Sequence, residues 1–458
     1  MDRKPLYIAN AQAFWGDRNS AAATLLKQMP EIDYLTFDYL AEVSLSIMAI
    51  QRAQDPSLGY ARDFLEVITS LIPFWKSGSR AKVIANAGGL NPQGCAQECK
   101  KILNKMGCGD LKVYTVTGDD VLPHLLSNPS LKLYHNLDSD ESLETILPKL
   151  ITANAYLGAW PIIEALKDGA DIVITGRVAD PSLTVAPAAF HFGWDRTAFD
   201  QLASATVAGH LIECGTQVTG GICTDWLNIP SPETIGYPVV EMYENGEFVI
   251  TKAPGTGGMV NQQIVKEQLL YEIGDPSRYL SPDVTVSFLE IRLTDAGPDR
   301  ILVKGCRGST PPDTYKVSAT YKQGFRADGM LTVVGCEAVK KARKCGEILL
   351  KRVAQAGYLL QHSLIECLGG GDASLGILPP SSSTECVLKV STADERKEAL
   401  ECFVKEFAPL VTSGAQGTTG YLFGRPKVRP VFGYWPCLIE SRLVKPLIAS
   451  IEQSSNLP

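Results

Sequence analysis

Residues 81–92, AKVIANAGGLNP, contain the pattern that decides the fold. A short apolar run ends at Asn86, a turn with two glycines follows, and Pro92 stands where a helix can begin. Proline suits the first turn of a helix, because its missing N–H would have no intrahelical partner there. The segment therefore predicts a strand over residues 81–85 and a helix over residues 92–105, joined by a tight turn.

The same order of strand and helix recurs through the N-terminal half. Further strands are predicted at residues 6–9, 33–37, 111–116 and 171–175, and further helices at residues 18–28, 41–52, 62–75, 155–167 and 197–214. Strands that alternate with helices are typical of a mostly parallel sheet with flanking helices. The apolar runs VIA and IVIT suit central strands that are buried on both faces. The fold class is therefore predicted as α/β.

The second half of the chain has a different pattern of residues. Proline and glycine punctuate residues 230–254, and longer strand-like segments follow them. This pattern predicts an α+β domain with a mixed or antiparallel sheet. We place the boundary near residue 225. The result is an α/β domain at residues 1–225, with a ligand crevice at its strand ends, and an α+β domain at residues 226–458.

Composition and charge limit the classes of function. The chain has 458 residues, a formal net charge of −7 and 45% hydrophobic residues. An acidic surface disfavours nucleic acid and anionic membranes as partners. No apolar run is long enough to span a membrane, and the twelve cysteines include no CxxC pair. We therefore expect a cytoplasmic protein with free thiols and without a structural zinc site.

The turn at residues 86–92 is a candidate for binding an anion or a carbonyl oxygen. Gly88 and Gly89 expose backbone N–H groups, and the following helix N-terminus adds unpaired donors and a positive dipole end. Asn86 and Asn91 contribute side-chain amides. The pattern is neither a dinucleotide fingerprint nor a P-loop, so no nucleotide cofactor is inferred. The alternative is a tight turn that needs glycine for its backbone angles.

Polar turns also follow the other strands, and the carboxyl ends of parallel strands meet at one edge of a sheet. Asn10 follows the first strand, Asp119 and Asp120 the fourth, and Arg177 with Asp180 the fifth. Asn10, Asp119 and Arg177 are predicted substrate contacts, since an arginine can bind a carboxylate or phosphate through two parallel hydrogen bonds. The alternatives are an internal Arg–Asp pair and aspartates that only cap helices.

A helix near residue 210 carries His210, Glu213 and Cys214 on one face. His210 and Glu213 can form an acid–base pair, or they can bind a divalent metal together with Asp119 and Asp120. The spacing is not that of the two-histidine zinc motif, and a hydrogen-bonded core histidine is the commoner case. For Cys214, a buried and inert thiol is the stronger interpretation.

Several segments spread along the chain carry a family resemblance. They are IANA at residues 8–11, YLTFDYL at 34–40, NAGGLNP at 86–92, ITGRVAD at 174–180, GHLIECG at 209–215 and RPVFGYWP at 429–436. Together they resemble the acyclic terpene utilisation (AtuA) family over nearly the whole chain. The resemblance implies a role in the breakdown of branched-chain or terpenoid acids, whose intermediates travel as CoA thioesters. It also implies the short form of the family, with the C-terminal ferredoxin-like domain of longer members supplied by a separate chain.

The expected function is an enzyme that acts on a carboxylic acid or an acyl-CoA, of the lyase or hydratase type. Such chemistry needs a base, an acid and an oxyanion-binding group, and no redox cofactor. Asp180 and Glu213 are the predicted bases, His210 is the predicted acid, and Arg177 with residues 86–91 binds the substrate. The alternatives are a ligand-binding or scaffolding subunit of a degradative complex and a metal-dependent hydrolase. The expected partners are a small molecule such as a CoA thioester and further copies of the chain in a homo-oligomer.

Overall fold

Strands and helices alternate through the described part of the chain, which is residues 4–452 of the computed structural model without residues 42, 378, 380, 422 and 423. The strands are β1 (Leu6–Asn10), β2 (Tyr34–Phe37), β3 (Lys82–Ala85), β4 (Val113–Thr117), β5 (Leu150–Ala155), β6 (Ile172–Thr175), β7 (Pro238–Met242), β8 (Phe248–Lys252), β9 (Tyr279–Leu280), β10 (Thr285–Ser287), β11 (Arg292–Asp295), β12 (Ile301–Lys304), β13 (Arg307–Ser309), β14 (Thr314–Val334), β15 (His362–Leu368), β16 (Glu385–Asp394), β17 (Thr418–Tyr421), β18 (Arg429–Glu440) and β19 (Leu447–Ser450). The helices are α1 (Ala21–Gln28), α2 (Ser44–Gln54), α3 (Phe64–Lys76), α4 (Pro92–Lys105), α5 (Leu122–Ser127), α6 (Trp160–Lys167), α7 (Ser182–Phe192), α8 (Phe199–Glu213), α9 (Gln262–Leu270), α10 (Ala338–Gln355), α11 (Lys397–Phe407) and α12 (Leu410–Ser413). None of the helices in these described residues has both the length and the apolar character needed to cross a membrane.

Five parallel strands form the centre of the largest sheet, in the order β1-β2-β3-β6-β4. Leu35 and Phe37 of β2 lie in a core with residues of α1, α3 and α4. Ile84 lies between two of these core residues on β3, and Val173 lies between two on β6, so both side chains face the other side of the sheet. Both are also 0% exposed. Burial on both faces explains why these strands are short continuous apolar runs in the sequence.

Antiparallel strands extend this centre on both sides, so the sheet is mixed. β7 pairs with β1, and β8, β12 and β11 continue outward from it, while β19 pairs with β4 at the other edge. The prediction of a mostly parallel sheet is therefore not confirmed. The reason is that later segments return to the sheet as hairpins such as β7–β8, and a hairpin joins antiparallel strands. A small separate antiparallel sheet, β13-β10-β9, brings Tyr279 to the site described below.

The chain divides into two units, one made of residues up to 320 and from 434 onward, the other of residues 321–433. In the second unit, β15, β16, the later part of β14 and β17 pair in that order. Helices α10 and α11 pack there around a core that includes Leu388, Phe403 and Phe407. The boundary expected near residue 225 falls inside the first unit, because β7 and β8 continue the sheet beside β1.

The turn between β3 and α4 leaves no room for a side chain at Gly88. A Cβ atom there would lie 2.6 Å from the Thr175 carbonyl oxygen and 2.7 Å from the Cα of Pro92. Because both are backbone atoms, we expect Gly88→Ala to lower the free energy of unfolding by about 1–3 kcal/mol, as measured by urea denaturation. Gly274→Ala is the matched control, since a Cβ there meets no heavy atom within 4 Å. Equal effects of the two substitutions would contradict the packing argument.

Candidate functional site

Two cavities of the first unit share a wall made of carboxylates. The tyrosine cavity, about 370 Å³, takes its name from three of its lining residues, Tyr156, Tyr279 and Tyr315. The acidic cavity, about 410 Å³, is lined by residues that follow the carboxyl ends of β1, β2 and β6, among them Asp38 and Arg177. The shared wall consists of Asp180, Glu213 and Glu272. The acidic cavity thus lies where open α/β sheets bind their ligands.

Helix α8 ends at Glu213, and Asn10 fixes that end against the sheet. The Nδ2 group of Asn10 donates to the carbonyl oxygens of Ile212, at 2.8 Å, and Glu213, at 3.0 Å. Carbonyls at a helix C-terminus lack intrahelical partners, so these two bonds satisfy them. Asn10 is 1% exposed and is not among the residues that line the two cavities. In the structure Asn10 therefore positions the end of α8 and with it Glu213.

His210 lies one turn before Glu213, and the two side chains form a buried hydrogen-bonded pair. The Nε2 atom of His210 is 3.0 Å from the carbonyl oxygen of Gln268, and its Nδ1 atom is 3.1 Å from Oε1 of Glu213. A carbonyl oxygen only accepts, so Nε2 carries a hydrogen. In a neutral ring Nδ1 is then an acceptor, and the hydrogen between the two side chains belongs to the Glu213 carboxyl.

Burial keeps that proton on the carboxyl group. It lowers the pKa of His210 to about 4 and raises the pKa of Glu213 well above its ordinary value, with Asp180 and Glu272 adding to the rise. The other oxygen of Glu213, Oε2, is buried and has no hydrogen-bond partner among the described residues. These pKa directions favour the proton on Glu213 with His210 as its acceptor, whereas the expectation from the sequence was Glu213 as the base and His210 as the acid.

Arg177 is 2% exposed, and protein groups already engage its guanidinium. It pairs with Oδ1 of Asp180 at 3.0 Å, donates to the Leu40 carbonyl and lies 4.1 Å from the ring centre of Tyr156. A planar guanidinium held in this way orients the carboxylate beside it. Arg177 thus positions Asp180 and offsets part of the negative charge of the acidic cavity, which is the internal pair left open as an alternative above.

Asp38 is a site residue that the sequence pattern did not single out. It follows β2, is 7% exposed and lines the acidic cavity. Its Oδ1 atom accepts hydrogen bonds from Nδ2 of Asn86 at 2.7 Å and from the Leu40 N–H at 3.2 Å. Burial raises the pKa of Asp38, and the nearby Asp180 raises it further. The feature of the sequence that could have identified Asp38 is its position directly after a predicted strand.

The glycine turn after β3 uses its hydrogen-bonding groups within the protein. The N–H groups of Gly88 and Gly89 donate to backbone carbonyl oxygens, and Asn91 caps helix α4 with its side chain. Asn86 holds Asp38, as described above, and also accepts from a backbone N–H. The turn therefore supports Asp38 instead of forming an anion cradle, in line with the tight-turn alternative.

Asp119 supports the site from the end of β4. It is 4% exposed and accepts from the Arg177 N–H and from Nδ2 of Asn154, both at 2.8 Å. Burial raises the pKa of Asp119 to about 6. In the part of the chain that the structure describes, no three or more His, Cys, Asp and Glu side chains are arranged to hold a metal ion. Asp119 and Asp120 therefore do not join His210 in the metal site considered above.

Lys316 borders the tyrosine cavity. No motif around it in the sequence predicted that position. Its Nζ atom lies 5.2 Å from the ring centre of Tyr156 and 6.0 Å from that of Tyr434. Unlike Arg177, it is exposed, so an anionic group of a ligand can reach it. The position of Lys316 depends on the pairing of β14 with β5, which are far apart in the chain.

The protein is a mixed α/β protein in which the end of helix α8 brings His210 and Glu213 beside the buried Arg177–Asp180 pair. Comparison with known proteins then gives the family. The family model described as "Acyclic terpene utilisation family protein AtuA" matches residues 6–449, and the chain belongs to this family. The resemblance seen in the sequence is thereby confirmed, and the family connects the chain with the catabolism of acyclic terpenes. No curated protein and no solved structure matches it.

Removal of Arg177 would leave buried carboxylates without their compensating cation. We expect Arg177→Ala to lower the free energy of unfolding by about 3 kcal/mol, because breaking a buried ion pair leaves an uncompensated charge. Arg196→Ala is the control, because that guanidinium is exposed and lies 4.3 Å from the ring centre of Trp160, a contact worth about 0.5–1 kcal/mol. Urea denaturation compares the two, and an Arg177 effect no larger than the control would contradict the structural role.

The His210 ring should stay neutral down to about pH 4, with its hydrogen on Nε2. The unfolded chain protonates this histidine near its ordinary pKa of 6.5, so His210 destabilises the folded state increasingly as pH falls from there to about 4. Long-range ¹H–¹⁵N spectra report both tautomer and titration, and His210→Gln identifies the signal. Titration near the ordinary value, or a hydrogen on Nδ1 alone, would refute this protonation state.

Proposed function

We propose that the protein is an enzyme that acts on a carboxylic acid or its CoA thioester. It removes or adds water across the bond between the first two carbons after the carbonyl group. The observation that carries this proposal is the Glu213 carboxyl, which lies 3.1 Å from Nδ1 of the buried His210 on the same wall as the Arg177-paired Asp180. An elimination of water needs one base and one acid in a fixed relation to the substrate. Two carboxyls in different environments, one paired with a guanidinium and one hydrogen-bonded to a buried histidine, can supply both.

In the elimination direction, Asp180 takes a proton from the carbon beside the carbonyl. Glu213 gives its proton to the leaving hydroxyl, which departs as water, and the electron pair of the broken C–H bond forms the new double bond. As that hydroxyl approaches, it competes with Nδ1 of His210 for the hydrogen on the carboxyl. Addition of water follows the reverse path. The ion pair with Arg177 stabilises the charged form of Asp180 that the base role requires.

The carbonyl oxygen of the substrate gains negative charge in this step and needs donors. Two groups of the tyrosine cavity are suited to that role, Tyr156 and Lys316. The Tyr156 hydroxyl is buried and has no hydrogen-bond partner in the described residues, so a substrate can accept from it. These two residues replace the turn at 86–91 and Arg177 as the proposed binding groups.

The rest of the tyrosine cavity suits an acyl chain. Its lining includes Leu137, Leu280, Pro282 and Leu438. A volume of about 370 Å³ lies within the range of small-molecule sites, which are mostly apolar with a few placed polar groups. A compact or branched acyl group fits this description, and the catabolic context of the family supports such a substrate.

Glu213→Gln replaces the proposed acid by a neutral group of the same shape. The amide can still donate to Nδ1 of His210, so the fold should be kept, but it has no proton to transfer. We expect turnover to fall by about 10²–10⁴-fold. The assay offers branched 2-enoyl and 3-hydroxyacyl CoA thioesters and the free acids, and follows the conjugated double bond by absorbance and the product by mass.

Glu267→Gln on α9 is the matched control, because Glu267 lines neither cavity, and its turnover should equal that of the natural chain. Turnover by Glu213→Gln at the control rate would remove Glu213 from the mechanism. Saturable binding of an acyl-CoA without turnover, equal in both variants, would favour the ligand-binding or scaffolding subunit instead.

A further inference from the structure

The acidic cavity contains more acidic groups than its cation can offset. Among the described residues that line it, five carboxyls face the single guanidinium of Arg177: Asp17, Asp38, Asp180, Glu213 and Glu272. That guanidinium is already paired with Asp180. Even with Glu213 neutral, the cavity has more carboxyls than cations among its described lining residues, and such a cleft concentrates positive ions.

Two of these carboxyls have an oxygen that the described protein groups leave unsatisfied. Oε2 of Glu213 is buried without a hydrogen-bond partner in the described residues. Asp38 is 7% exposed, lines the cavity and, within the same part of the chain, uses Oδ1 for both of its side-chain hydrogen bonds, which leaves Oδ2 available to a ligand. Buried polar atoms are normally hydrogen-bonded, so the unsatisfied Oε2 of Glu213, at a cavity that Asp38 also lines, indicates a donor brought by a ligand.

The mouth of the acidic cavity is aromatic and apolar. Phe14 is 52% exposed, Tyr271 is 36% exposed and Ile222 is 73% exposed, and all three line the cavity. Aromatic rings beside carboxylates are the setting in which proteins bind organic ammonium ions, because the ring face attracts the charge. Apolar and aromatic side chains at the mouth would not contribute ligands to a metal ion. The described residues also contain no group of three or more His, Cys, Asp and Glu side chains arranged to hold one.

We propose that the acidic cavity binds an organic ammonium ion, a protonated amine that carries an apolar substituent. The ammonium group donates to Oδ2 of Asp38 and to Oε2 of Glu213. The substituent contacts Phe14 and Tyr271 at the mouth. The ligand is distinct from the acyl substrate proposed for the tyrosine cavity, and its binding can be measured without any turnover.

Isothermal titration of the full chain with benzylamine and hexylamine tests this proposal, with benzyl alcohol and hexanol as neutral counterparts of the same shape. We expect the two amines to bind at pH 7 and the two alcohols not to bind. Asp38→Asn should weaken amine binding about tenfold or more, since it loses a charge-assisted hydrogen bond. The substitution keeps Oδ1, which accepts from Asn86 and Leu40, so the turn should remain intact.

Phe14→Ala provides a second test at an exposed position, where truncation should leave the fold unchanged. We expect about a threefold loss of amine affinity, the size of an exposed cation–π contact. Leu227→Ala is the matched control, because Leu227 is 92% exposed and apolar but does not line the cavity. Its amine affinity should be unchanged.

Three results would overturn the proposal. Equal binding of amines and alcohols would show that charge is not recognised. Absence of amine binding at millimolar concentration would leave the unsatisfied oxygens without the proposed partner. Stoichiometric binding of Mg²⁺ that Asp38→Asn abolishes, with displacement of the amines, would make the cavity a metal site instead.

Discussion

The guanidinium group of Arg177 holds three strand-end segments in one arrangement. It donates to Leu40 after β2, pairs with Asp180 after β6 and lies against Tyr156 after β5. The N–H of the same residue donates to Asp119 after β4. A buried cation is tolerated only when its partners are in place, so these segments cannot shift independently without exposing an unpaired charge. Both cavities have this residue or its partners in their walls, and their shapes therefore depend on it.

The acidic cavity contains features that are unfavourable for the stability of a protein core. Glu213 is buried close to other carboxyls. Burial raises its pKa, and the neighbouring Asp180 and Glu272 raise it further. Two non-glycine residues that line the acidic cavity, Ile222 and Glu272, have positive φ angles of 47° and 58°. A β-branched residue in that region is strained, and such strain persists where the surroundings enforce it. Local rules of folding are broken mainly at functional sites, so these departures agree with the location of the site.

The sequence predicted those features whose causes are local. Helix α4 begins at Pro92 and ends at Lys105 as expected, because its cap and its first-turn proline are both written in adjacent residues. Strand β5 was missed, since it exists through pairing with β14. The strand-end rule indicated Asp180, and helical spacing indicated His210 and Glu213, but neither pattern specified how these side chains are bonded. Burial and the distant Gln268 carbonyl decide where the proton of Glu213 lies, and Lys316 arrives through a distant strand.

Because Asp180, Glu213 and Glu272 line both cavities, a charged ligand in one cavity would act on carboxyls that also face the other. A cation in the acidic cavity stabilises the charged form of the wall carboxyls, whereas the acid role proposed for Glu213 requires the neutral form. Each ligand then changes the affinity for the other by the same factor, since coupling between two sites is reciprocal. If both proposals hold, an ammonium ligand would thus oppose the acyl chemistry by favouring the charged form of Glu213.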